Sequence, residues 1–318
     1  MKRLRPASVV AIALASSLGS AACAQSTNVE EGVPVRDLGG PVGACDERGL
    51  RVVVLSSEGD FYGFVAATRT FTKISHVECA ADVPLDDVYA GAIARDGTAW
   101  ITYFGRLPDK ILPRLFFPVR IEDGTCGAPV PISPGAPATW YAAGPVPGTI
   151  VGATRKRFED PLAVVTYQPR SGNETSTVPI APYRGSANTN GVALSVRPDG
   201  TLEAFVNALG HPDVVPFFAT VDTTTGSLAR VPGSYPIIET PTLRTPLAEL
   251  PVSMVHWGNT RLLFAADPAT ASPGRTGSRS MVVSAKVGQE SSEAIVRELP
   301  FLVVASGLVP CATGAPVR

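Results

Sequence analysis

The 318-residue sequence predicts an all-β protein, a five-bladed β-propeller of four-stranded antiparallel blades closed by its C-terminal strand. Three observations point there. Asp96-Gly97, set between the apolar runs 88–94 and 99–105, is a hairpin signal, and other turn chemistry recurs in equivalent places. The strand after that turn recurs as well: RVVVLS, AWITYFG, TIVGATR, TLEAFVNAL and RLLFAADP begin at residues 51, 99, 149, 201 and 261, spacings of 48, 50, 52 and 60. Repeats of this length belong to propellers and similar arrays. Finally, the first copy lacks a strand before its turn, whereas the chain ends with one to spare, FLVVASGLV at 301–309.

Each predicted blade has the same order. An inner strand rich in small residues comes first: 88–94, 140–146, 191–197 and 252–258. Small side chains suit the crowded axis of a ring. Turns RDGT, PG, RPDG and GNT lead to the second strand. Third strands follow at 60–67, 114–121, 161–168, 215–222 and 280–287, and short fourth strands at 70–77, 128–132, 175–180, 228–232 and 293–299. The C-terminal strand would become the inner strand of blade one, which removes the sheet edges of an open array. Composition agrees: 30 Gly, 30 Pro and 45% hydrophobic residues argue against both a helical and a disordered chain.

The N-terminus has the layout of a secretory signal peptide. Lys2, Arg3 and Arg5 precede an apolar stretch, Val9 to Leu18, and then small residues. That stretch is too short to span a bilayer core of about 30 Å. Two cleavage patterns overlap. Ser20-Ala21-Ala22-Cys23 is a lipobox with Ser where Leu is usual, making Cys23 a lipidated N-terminus, and Ala22-Cys23-Ala24 is an A-x-A site. The polar, Gly- and Pro-containing residues 24–44 read as a tether, so the organisation is signal peptide 1–23, tether 24–44, propeller 45–312 and tail 313–318.

Cys45, Cys79, Cys126 and Cys311 remain in the exported chain, an even set that favours disulfides. Cys311 follows the spare strand and Cys45 precedes the second strand of blade one, so a Cys45–Cys311 bond would staple the one turn that the repeat leaves open. Cys79 and Cys126 are then left to each other. Ideal up-and-down topology puts them on opposite faces, so either the 79–87 linker bends over the blade or both thiols stay free.

The segments AIARDGTAWITY (92–103) and LFFPVRIEDGTC (115–126), with Cys79 ahead of them, resemble a group of uncharacterised secreted propeller lipoproteins of GC-rich bacteria. The resemblance covers residues 45–132. It implies an exported β-propeller and brings no activity with it.

Motifs for chemistry are sparse. A net charge of −1 leaves no electrostatic footprint for nucleic acid. The three histidines, His76, His211 and His256, form no metal-binding pair, and no phosphate loop, dinucleotide fingerprint or G-x-S-x-G is present, so neither metal nor cofactor is expected. Asp86 and Asp87, at the start of the blade-two inner strand, are the acids nearest the expected axis; the corresponding positions in blades three to five are Thr139, Asn190 and Pro251. A glycoside hydrolase needs a facing pair of carboxylates, which this set does not supply. Trp100, Tyr103, Trp140, Tyr141 and Trp257 could stack on a ligand or fill the blade seams. The loop at 271–280 adds Arg275 and Arg279 as a basic contact. The expectation is a non-enzymatic binding or scaffold module, lipid-anchored at the cell envelope or secreted, with a protein or glycan partner. Its rival is a carbohydrate-active hydrolase using Asp86 and Asp87.

Overall fold

The computed structural model describes residues 35–36, 49–79, 88–103, 106–107, 110–111, 115–132, 140–154, 162–171, 173–180, 191–207, 217–231, 252–266, 279–289 and 292–311. It is a five-bladed β-propeller, and the described residues contain no helix. From the axis outward, blade two is Val88–Ile93, Thr98–Tyr103, Leu115–Arg120 and Val130–Pro131. Blade three is Trp140–Ala143, Ile150–Thr154, Ala163–Gln168 and Asn173–Pro179. Blade four is Gly191–Val196, Leu202–Asn207, Phe217–Val221 and Leu228–Arg230, and blade five is Val252–Trp257, Thr260–Ala266, Ser280–Lys286 and Ser292–Leu299.

Blade one closes the ring as the sequence predicts. The C-terminal strand Val303–Pro310 is its inner member, antiparallel to Leu50–Ser56, with Val52 opposite Leu308 and Val54 opposite Ser306. Asp60–Val65 and Thr70–His76 follow outward. Two small elements were not expected. Val35–Arg36, inside the segment read as a tether, pairs in parallel with Phe71 and Thr72 as a fifth, outermost strand of blade one. Arg106–Leu107 and Lys110–Ile111 form a two-stranded hairpin between the second and third strands of blade two.

The turns follow local chemistry. In blades two and four the first two strands are joined by Arg95-Asp96-Gly97 and Pro198-Asp199-Gly200. The aspartate accepts a hydrogen bond from the backbone N–H of Thr98 or Thr201, and Gly97 (φ 84°) and Gly200 (φ 86°) take the left-handed position that closes such a loop.

Alternation of side chains along each strand explains the near-continuous apolar runs, because both blade faces are buried. Val52 and Val54 face blade five, packing near Phe264 and Val255, while Val53 and Leu55 face blade two, near Ile93 and Ile101. Five clusters of buried residues result, one at each seam of the ring. Aromatic rings join neighbouring blades, with Phe64 edge-on to Phe264 at 6.0 Å and Phe116 edge-on to Tyr141 at 5.4 Å.

Cys79 and Cys126 form a disulfide. The twist that strands accumulate across a blade removes the conflict with up-and-down topology. At roughly 20–25° per step, four strands turn the outermost one well away from the axis direction. The end of one blade's fourth strand then meets the turn between the third and fourth strands of the next blade. Glu78 N–H donates to Gly124 O at 3.0 Å, and Val119 bridges Cys126 alongside. Cys311 is disulfide-bonded as well, and its N–H donates to Gly49 O at 2.8 Å, across the open turn of blade one. Cys45, its expected partner, lies outside the described residues, as do Cys23 and the segment read as a signal peptide.

Candidate functional site

A propeller offers three places for function: its axis, its seams and its faces. The axis is lined by short side chains. Ala90, Gly91 and Ala92 of blade two run beside Ala305, Ser306 and Gly307 of blade one, and a Cβ on Gly307 would come within 2.6 Å of Ile93 O. Ser253 of blade five and Ser306 share a hydroxyl hydrogen bond of 2.8 Å. Packing is tight enough that the inner strands of blades three and one, which are not neighbours in the ring, approach within 8 Å between Cα atoms. Among the described residues no inner strand carries Asp or Glu. Asp86 and Asp87 lie outside the described residues.

The seam between blades four and five holds charge instead. Glu203 and Arg261 occupy the second strands of adjacent blades at positions whose side chains point into the shared seam, and both are fully buried. Arg261 grips the carboxylate with two donors: Nε reaches Oε1, and Nη2 lies 3.2 Å from Oε2. Its guanidinium stacks over Phe218, 4.2 Å from the ring centroid. His256, on the inner strand of blade five, is 1% exposed, with Nε2 3.7 Å from Glu203 Oε1. The carboxylate is already neutralised by Arg261. Burial, with the Arg261 and Arg197 charges adding to it and Asp199 partly opposing it, therefore lowers the His256 pKa to about 3. The imidazole is neutral at ordinary pH. These three groups have acid–base chemistry but no access to a substrate.

A second cluster lies at the outer part of blade one, with its Lys73 and His76 open to solvent and its Tyr62 buried. Asp60 Oδ1 lies 2.6 Å from His76 Nδ1 and 2.8 Å from Lys73 Nζ, and Tyr62 OH donates to Oδ2 at 3.2 Å. Burial alone would raise the Asp60 pKa, but hydrogen bonds and charge from Lys73 and His76 outweigh it and hold the carboxyl below its usual range. Tyr62 is pushed well up, first by burial and then by the Asp60 charge. The phenol also stacks flat on Phe301, with centroids 4.3 Å apart.

The aromatic candidates separate. Trp100 and Tyr141 lie in the seam of blades two and three, packed with Phe116 and Tyr167, so their ring faces are covered. Trp257 is half-buried against the seam of blades five and one. The side chains of Tyr103 and Trp140 lie outside the described residues, as do His211 and Arg275. Arg279 is exposed and paired with Glu298 at 3.0 Å. The buried pair went unseen in the sequence. Its signal was an acid, Glu203, and a base, Arg261, each placed within a second strand that is otherwise apolar.

No protein-family model matches the chain, and no curated protein matches it. Solved structures similar to it include a TolB candidate from Agrobacterium tumefaciens, 14% identical over 83% of this chain and 84% of that one, with a TM-score of 0.45. A protein of unknown function from Bacteroides caccae is 11% identical over 82% and 98%, at 0.42, and a chain of a nidogen/laminin complex is 12% identical over the same shares, at 0.42. At this level of likeness they say nothing of what the chain does.

Proposed function

We propose that the chain is an exported, non-enzymatic platform at the cell envelope, which presents the loops of a rigid ring to a protein or glycan. The filled axis supports this most directly. The inner strands leave small side chains packed against one another where an axial catalytic site would need room, and the buried acid, base and imidazole are sealed in a seam. The disulfides suit an oxidising compartment. Lipidation at Cys23 would hold the ring near a membrane through the tether. Changing Cys23 to Ser should then abolish incorporation of a fatty-acid analogue.

The test is site-specific photo-crosslinking in intact cells. Val146 is 60% exposed at the tip of the blade-three hairpin and is a suitable position. A discrete, saturable adduct from Val146 or another loop position, absent from a buried control at Phe264, is expected. Turnover of a glycoside panel by the mature domain, abolished by Asp86→Asn or Asp87→Asn, would overturn the reading in favour of a hydrolase.

A further inference from the structure

We infer that blade one is the redox-gated joint of the ring: oxidation locks it, and reduction lets the C-terminal strand undock while the other four blades stay assembled.

Cysteine placement carries this. Among the described residues every disulfide-bonded cysteine borders blade one. Cys79 follows the end of its outer strand, and Cys311 follows the end of its inner strand. Cys126 belongs to blade two and reaches back to Cys79. Blade one also differs from the others in connectivity. Its inner strand, Val303–Pro310, comes from the opposite end of the chain, so no covalent turn joins it to Leu50–Ser56. Blades two to five each draw their strands from one continuous stretch. Their three mutual seams are built without any residue of blade one, through Tyr141 with Phe116, Leu194 with Val164, and Phe205 with Met254. Undocking the last strand leaves those three intact and breaks its ladder with Leu50–Ser56, its approach to the blade-three inner strand and the two remaining seams. One of these two seams contains Ala305 and Val309 of the last strand, with Cys79 and Cys126 packed at its margin. The cysteine pair thus borders the surface that separates when the strand leaves.

The chemistry is thiol–disulfide exchange. Two thiols reduce one disulfide of a donor, releasing two donor thiols and forming one cystine, with two electrons and two protons passing to the donor. A reducing compartment keeps the joint unlocked, and a compartment supplying a disulfide donor closes it. This holds whether or not the ring faces bind a partner.

The experiment is native-state hydrogen exchange on the purified mature protein, oxidised and then reduced with a phosphine. Reduction should accelerate exchange of residues 303–310 and 50–56 by on the order of a hundredfold, as expected for loss of a native disulfide. Amides of 150–154 and 202–207 should keep their oxidised rates. Cys311→Ser should reproduce the effect at 303–310, and Cys79→Ser with Cys126→Ser should instead loosen 70–79 and 119–126. Acceleration shared equally by all five blades would overturn the inference, because the ring would then unfold as one unit. Unchanged rates at 303–310 in the reduced protein would overturn it too.

Discussion

Gly124 lies directly against the carbonyl of His76: a Cβ added to the glycine would sit 1.7 Å from that oxygen. The contact joins the third-to-fourth-strand turn of blade two to the end of the outer strand of blade one. Gly226 of blade four repeats it against Pro179 O of blade three, at 1.8 Å, and both glycines hold positive φ, 74° and 72°. Blade one has Arg69 at positive φ in its corresponding turn, and Arg69 reaches blade five through Glu293 at 3.4 Å.

Gly124→Ala should therefore carry two penalties. The left-handed backbone costs an alanine about 1–2 kcal/mol, and the clash with a fixed carbonyl adds to it. We expect a loss of at least about 3 kcal/mol in urea unfolding. Gly97→Ala is the control, because Gly97 also has positive φ (84°) but nothing within 4 Å of its missing Cβ. It should lose only the backbone part, about 1–2 kcal/mol. Equal losses for the two would show that the glycine-to-carbonyl contact contributes nothing.

The Glu203–Arg261 pair should be costly to break and cheap to replace. Glu203→Leu or Arg261→Met leaves one buried charge without its partner, and each should destabilise by about 3–5 kcal/mol. Replacing both, as Glu203→Leu with Arg261→Met, should recover most of that loss. Thermal denaturation of the four proteins forms a double-mutant cycle, and an additive result would contradict the coupling seen in the seam.

His256 gives the fold an acid sensitivity of defined sign. Its folded pKa, about 3, lies below the ordinary 6.5, so as pH falls past 6.5 the unfolded chain binds a proton that the folded chain refuses. Stability should be level above pH 6.5 and fall by up to about 1.4 kcal/mol per pH unit below it. The range from pH 6.5 to 5 is informative, because Asp60, held low by Lys73 and His76, contributes only further down. Subtracting the profile of His256→Gln isolates the contribution of the imidazole. An unchanged slope in that variant would assign the sensitivity to another group.

Gly307→Ala tests the packing at the axis. The added Cβ would lie 2.6 Å from Ile93 O and 2.7 Å from Ile93 Cβ, with no positive φ involved. Overpacking of this kind costs about 1–3 kcal/mol. Protease should consequently clip the C-terminal strand before any other part of the ring. Wild-type resistance at that strand would mean that the axis has room to spare.

Strand positions and ring closure were legible in the sequence, since both rest on local signals. Asp-Gly turns, small-residue inner strands and the surplus strand at 301–309 each leave a mark that needs no partner to read. What escaped depends on three-dimensional summation. The Cys79–Cys126 bond requires the twist of a whole blade. Val35–Arg36 is too short to show a period. Glu203 and Arg261 would ordinarily be read as solvent-facing residues, and only the burial of both faces of a second strand turns them into a pair. For the same reason the choice for Trp100 and Tyr141 between stacking on a ligand and filling a seam is decided, in favour of the seam, only once the neighbouring blade is in place.

The junction between Gly49 and Cys311 has a consequence for where the chain has to begin. The backbones meet there at 2.8 Å, in the place where every other blade has an ordinary turn. The ring is therefore indifferent to the location of its ends. A circular permutant that links the two sides of this junction and opens the exposed Pro198-Asp199-Gly200 turn should fold to the same five blades. The blade needing a covalent staple would then be blade four, and Cys311 could be dispensed with.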